Sequence, residues 1–121
     1  MEYQHTYTYD PTLPAPPIYL ELSLEGKPMS TLEQLYTQIV SDLTTAVDNL
    51  DEQRIDKSYI NKSVAQGILA RVYQVMHNYE GAAEMANAAY GGDVQAALYP
   101  EEYDDGFDDM SAAGWLWALP N

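Results

Sequence analysis

The sequence predicts a mostly α-helical chain, and three observations carry that reading. Leu32, Leu35, Tyr36, Ile39, Val40, Leu43, Val47 and Leu50 recur at helical spacing, as one apolar stripe. Val64, Ala65, Ile68, Leu69, Val72, Tyr73 and Met76 form a second stripe. Ala82, Ala83, Ala86 and Ala89 form a third of small side chains, closed by Gly91-Gly92, the residue type that a left-handed helix cap favours. We divide the chain into an extended arm with a short strand over 1–29, a three-helix core over 30–92, and an irregular acidic segment with a terminal Trp cluster over 93–121.

The arm is rich in Tyr, Thr and Pro, including Pro11, Pro14, Pro16 and Pro17, and so many prolines break any helix. Over residues 1–17 we expect an extended, polyproline-like path. Ile18, Leu20, Leu22 and Leu24 then alternate with Tyr19, Glu21, Ser23 and Glu25, which is the period of a half-buried strand. Glu25-Gly26-Lys27-Pro28 ends it with turn chemistry.

Ser30, followed three residues later by Glu33, fits a capping box for the first helix, which stops near Leu50. Asp51 to Lys57 is a polar stretch. The second helix starts at Asn61, a good N-cap. Its interior Gly67 costs about 1 kcal/mol relative to alanine and marks a close helix approach. His77-Asn78 is a short break, and the third helix covers about Tyr79 to Tyr90. So short a connection makes these two helices antiparallel neighbours.

Composition excludes several functions. The 121 residues contain 19 carboxylates against 5 lysines and arginines, a net charge of −14. Phosphate binding needs clustered cations, so nucleic acid is not expected as a partner. No apolar run approaches the roughly 20 residues that cross a bilayer, and no signal peptide is visible. Cysteine is absent, which removes disulfides, thiolate metal sites and a cysteine nucleophile. His5 and His77 lie in different regions without further ligands at set spacing, so no metal is expected; His77 reads as a cap or cation at the negative end of its helix. The acidic run Asp104-Asp105-Gly106-Phe107-Asp108-Asp109 does not have EF-hand spacing and reads as a solvated loop. Arg71 is expected to pair with Asp42. No Gly-rich phosphate loop and no nucleophile–base motif appears, so the chain is not expected to be an enzyme, and no cofactor is expected.

Aromatic side chains supply the candidate binding residues, because flat rings stack on sugar faces. Trp115, Tyr99 and Tyr103 are the candidates. Trp117 and Leu116 read as core, with Trp115 the more exposed ring. Tyr3, Tyr7 and Tyr9 could form an aromatic strip, but an unstructured arm is the preferred reading.

The second and third helices resemble a tetratricopeptide unit, a helical hairpin of about 34 residues. Leu69-Ala70, Tyr73, Ala82, Ala86 and Ala89 stand at its spacings; Gln66 stands where the repeat usually has Trp. A more specific likeness covers most of the chain. Tyr36-Thr37-Gln38-Ile39-Val40-Ser41-Asp42-Leu43 with Ala46 and Leu50, Asn61 to Ala65 leading to Leu69-Ala70-Arg71-Val72-Tyr73, Tyr79 to Ala86, and Tyr99 to Phe107 followed by Leu116-Trp117 resemble, in order and spacing, four motifs of the SusD/RagB family. Gly114 departs from the Glu usual in the last of them. Members are several times longer and begin with a lipoprotein signal and an anchoring Cys, so we expect an internal portion or a reduced relative. The resemblance implies a cell-surface, outer-membrane lipoprotein that captures glycan or another nutrient and passes it to a TonB-dependent transporter. It also implies that the helices are scaffold and that ligand contacts come mostly from loops elsewhere. The alternative is a protein–protein adaptor using the tetratricopeptide-like hairpin.

Overall fold

The computed structural model describes residues 7–92, 109, 111 and 114–118. Strands β1 (Pro14–Ala15) and β2 (Ser30–Thr31) are followed by helices α1 (Leu32–Asn49), α2 (Lys62–Val75) and α3 (Tyr79–Ala89). The mostly helical class expected from the three stripes is what forms.

The proline-rich arm is short of donors and therefore serves as an acceptor. The first N–H groups of a helix have no partner inside it. The Leu32 amide donates to the Leu13 carbonyl at 3.0 Å, and that of Glu33 to the Pro11 carbonyl at 2.9 Å. An antiparallel ladder pairs Pro14 with Thr31 and Ala15 with Ser30. Ala15 and Leu32, each 1% exposed, lie beneath this junction. The arm is not extended throughout: residues 7–9 are helical, and the Tyr7 ring rests 4.6 Å from that of Tyr36. Tyr9 is exposed, and Tyr3 and His5 lie outside the described residues.

Two boundaries differ from the sequence reading. The N-cap of α1 is Thr31 and its box partner is Gln34, one residue later than Ser30 and Glu33. Ser30 is occupied in the ladder, where its hydroxyl donates to the Pro16 carbonyl at 2.6 Å. The alternation over Ile18–Leu24 does not form a strand. It lies in the loop between β1 and β2, with Leu20, Leu22 and Leu24 exposed to solvent.

Helix α2 supplies most of the core, through Val64, Ala65, Leu69 and Ala70. Its most extensive neighbour is α3 and its next is α1. Ile68, expected in the stripe, is exposed. Gln66 is buried where the repeat usually has Trp, and its Oε1 accepts no hydrogen bond.

Asn61 begins α2 and is itself buried. Its Oδ1 accepts from the Val64 amide at 3.1 Å, and its Nδ2 donates to the Glu52 carbonyl at 2.9 Å. The Lys62 amide donates to the Asp51 carbonyl at 3.1 Å. One side chain thus caps a helix and fastens the incoming loop.

Both ends of the hairpin close in the same way. After α3, the Gly91 amide donates to the Ala88 carbonyl and that of Gly92 to the Asn87 carbonyl, with φ of 73° and 76°. After α2, the His77 amide donates to the Gln74 carbonyl and that of Asn78 to the Tyr73 carbonyl. This is the same Schellman pattern, but its left-handed position is held by His77 at φ 60°. His77 therefore caps through its backbone, and its ring stacks 5.4 Å from that of Tyr79. Asn78 then caps α3 by accepting from the Gly81 amide.

Two stability predictions follow from these caps. Asn61→Ala removes the cap and the loop tether together and should destabilise by about 2 kcal/mol, read as a lower urea midpoint at unchanged slope. His77→Gly relieves a left-handed side chain and should stabilise by about 1 kcal/mol, less whatever the Tyr79 stack contributes, read in the same titration.

Candidate functional site

The packing of α2 on α3 leaves a groove, because the facing side chains are small. Gly67 and Ala70 from α2 and Ala82, Ala83, Ala86 and Ala89 from α3 line a cavity of 960 Å³. Polar and aromatic groups stand around this apolar floor. Arg71, Gln74 and Tyr79 line it where α2 ends and α3 begins; Glu52, Ser63, Tyr90 and Gly91 line it where α2 begins and α3 ends. The Ser63 hydroxyl donates to Glu52 Oε2 at 2.6 Å, and the Tyr90 hydroxyl donates to Asn87 Oδ1 at 2.9 Å.

Arg71 is exposed on this groove and does not pair with Asp42. Asp42 Oδ1 instead accepts from Gln38 Nε2 at 2.8 Å, one turn away on the same helix. A neighbour at i,i+4 meets this carboxylate without any tertiary reach.

The remaining wall comes from far along the chain. Gly114 and Leu116 line the groove. A Cβ on Gly67 would stand 3.2 Å from Leu116 Cδ2 and 3.9 Å from Ala89 Cβ. The close approach read from Gly67 is thus mainly that of the C-terminal segment, with α3 second.

Residues 54–58 clamp this segment. Arg54 donates through Nη1 to the Tyr59 carbonyl at 3.0 Å and through Nη2 to the Leu116 carbonyl at 2.7 Å. Trp117 Nε1 donates to the Ser58 carbonyl at 3.0 Å, Ala118 N to the Lys57 carbonyl at 3.3 Å, and Lys57 Nζ to the Ser111 carbonyl at 3.0 Å. Each of these bonds ends on a backbone carbonyl. The sequence marks Arg54 and Lys57 only as parts of a polar stretch. The available signal was density: two of five cations fall within four residues of a strongly acidic chain.

The clamp reverses the expected roles of the two tryptophans. Trp117 is 44% exposed and Leu116 39%, so neither is core. Trp115 is half-buried, the less exposed of the two rings. Its neighbours Gly114 and Leu116 place it at the groove's edge along the chain. Tyr99 and Tyr103 lie outside the described residues, as does most of the acidic run from Asp104. Of that run Asp109 is described, and its Oδ1 accepts from the Ser111 amide at 2.8 Å. Among the described residues no three histidines, cysteines or carboxylates gather as a metal site, and no helix is long and apolar enough to cross a membrane.

Comparison with solved structures decides the fold relationship. The chain resembles a crystal structure of a SusD-like carbohydrate binding protein from Bacteroides vulgatus ATCC 8482, with a TM-score of 0.78 and 28% identity. The fold is SusD-like. The likeness covers 92% of this chain and 24% of that one, so the chain spans about a quarter of its neighbour's length. Neither protein-family models nor curated proteins give a match. The neighbour is named for binding and not for catalysis, in keeping with the expectation of a non-enzyme.

Asp56 is a titrating anchor of the clamp. Asp56 Oδ1 accepts from the Ser58 hydroxyl at 2.7 Å and from its amide at 2.8 Å. These bonds favour the charged form and hold the carboxyl below its usual 3.8, with a smaller contribution from Arg54. A lowered folded-state pKa means that the stabilisation is fully present above the ordinary carboxylate range and is lost as pH falls through the lowered value. An NMR titration should place the Asp56 midpoint below the ordinary value, and Ser58→Ala should move it upwards. An unmoved midpoint would remove Ser58 as the cause.

Proposed function

We propose that this chain is the helical scaffold of a SusD-like, glycan-binding component of an outer-membrane nutrient-uptake system of the SusD/RagB kind. The observation that carries the reading is the superposition of nearly the whole chain on a carbohydrate binding protein. The four ordered sequence motifs support it independently. The partner in this reading is a TonB-dependent outer-membrane transporter, and the location is the cell surface.

Trp115, with Tyr99 and Tyr103, is the proposed aromatic platform for sugar. Support for Trp115 comes from its position between two residues that line the groove. Arg71, Gln74 and Glu52 add planar polar groups of the kind that hydrogen-bond sugar hydroxyls, and Tyr79 and Tyr90 add rings. An apolar floor with a few polar groups around it is a usual form of small-molecule site.

Affinity electrophoresis against a panel of soluble polysaccharides tests this. At least one glycan should retard the chain, and Trp115→Ala should weaken that retardation about tenfold or more, the effect of losing a stacked ring of about 1.5 kcal/mol. No retardation by any glycan would favour the adaptor reading, in which the hairpin groove takes a protein segment. A transporter gene directly beside this one is the independent check on the proposed partner.

A further inference from the structure

The floor of the α2–α3 groove is unevenly covered. Ala82, Ala86 and Ala89 share one face of α3 at helical spacing. Ala86 is exposed, whereas Ala89 is buried. Alanines one turn apart have equal reach, so the difference comes from what stands over them. At the Ala89 end stand Gly67 of α2 and, from far along the chain, Leu116. A Cβ on Gly67 would meet Leu116 Cδ2 at 3.2 Å and Ala89 Cβ at 3.9 Å. The side chain that Gly67 lacks leaves the room in which Leu116 is seated.

What holds Leu116 there is slight beside what holds the hairpin. None of residues 114–118 is buried, and none belongs to a helix or strand. They are tied to residues 54–58 by Arg54 on the Leu116 carbonyl, the Trp117 indole on the Ser58 carbonyl and the Ala118 amide on the Lys57 carbonyl. The first two bonds are exposed, so water competes for the same groups. The hairpin beneath buries Val64, Ala65, Leu69, Ala70 and Ala89. Local opening begins where buried apolar contact is least and hydrogen bonds are exposed. Among the three ties, that of Arg54 is charge-assisted and therefore the strongest. Its other arm is fixed on the Tyr59 carbonyl, which anchors it in the loop after α1.

We infer that residues 114–118 are a strap that opens as a unit while the helical hairpin stays folded, with Arg54 as its latch. Closed, the strap keeps Leu116 at the Gly67–Ala89 end of the groove. Open, it vacates that end and uncovers Ala89. An occupant that needs this end competes with the chain's own leucine, and its apparent affinity is reduced to the fraction of molecules that are open. The strap is thus an autoinhibitory contact built into the groove. It concerns the chain's own segment and does not rest on the glycan reading.

Hydrogen exchange followed by NMR tests the opening. In the native chain the Ala118 amide and the Trp117 indole should be protected, but about a hundredfold or more weakly than the Leu69 amide in the buried middle of α2. Arg54→Gln should lower the protection of both about tenfold and leave Leu69 unchanged. Leu116→Ala keeps the main-chain ties and should act in the same direction. The chain has no cysteine, so Ala89→Cys places a single thiol on the groove floor. A small disulfide reagent should modify it about tenfold faster when Arg54→Gln is added. Circular dichroism checks that each variant keeps its helices. Equal protection of the strap and Leu69, an unprotected strap in the native chain, or an equal loss at Leu69 in Arg54→Gln overturns the inference. Unchanged protection in Leu116→Ala overturns it too. So does a thiol that reacts at one rate with and without Arg54→Gln, because the strap then does not cover Ala89.

Discussion

The buried amide of Asn61 is the constraint on which the arrangement rests. A helix that begins inside a protein must satisfy its first N–H groups without water. Asn61 does this with its oxygen and uses its nitrogen to fix the backbone of Glu52. That second bond sets where the loop after α1 can go. The loop in turn carries Arg54, Lys57 and Ser58 to the C-terminal segment, and the segment supplies Leu116 to the groove. A sequence of local satisfactions thus connects the start of one helix to the wall of a distant cavity. A residue with only one hydrogen-bonding role could not replace it: the position needs an acceptor and a donor on one short side chain.

How much of this was legible in the sequence depends on the range of the interaction. Helix α2 was readable because Asn61 and the Val64–Ala65–Leu69 stripe are local signals. The end of α3 was readable because Gly91 and Gly92 are the residue type that positive φ favours. The end of α2 gives the same motif with His77, and composition does not announce a histidine in that role. The cap of α1 was misplaced by one residue because Ser30 and Thr31 are both cap formers. Only the ladder, which engages the Ser30 hydroxyl, decides between them. The alternation at residues 18–24 reported which side chains seek burial and could not report that the described chain leaves them bare.

The site was less legible, for a physical reason. Its floor is made of alanine and glycine, and such residues signal close packing as readily as an open groove. Its far wall depends on contacts spanning about half the chain, which no local pattern encodes. Residue type nominates the aromatic candidates, and type does not give exposure. Trp117 sits at the surface because its indole N–H reaches the Ser58 carbonyl, while Trp115 is the more covered ring. Type did carry the broader likeness, because three of the four motifs lie on α1, α2 and α3, where packing fixes the spacing. The SusD-like fold was therefore visible in the same residues that build the scaffold.

The clamp between residues 54–58 and the C-terminal segment has a further consequence for how this chain can vary. Among the described residues, the acceptors that join the two segments are main-chain oxygens, which every amino acid supplies. The described side-chain donors across it are the Arg54 guanidinium, the Lys57 ammonium and the Trp117 indole. As far as the clamp is concerned, Tyr59 and Ser111 are free to drift over evolutionary time, while Arg54 is not, because it bridges two carbonyls at once with a planar fork that lysine does not have. Relatives of this chain could thus differ widely along both segments and still hold the same shape, with the burden of inheritance falling on a few long side chains.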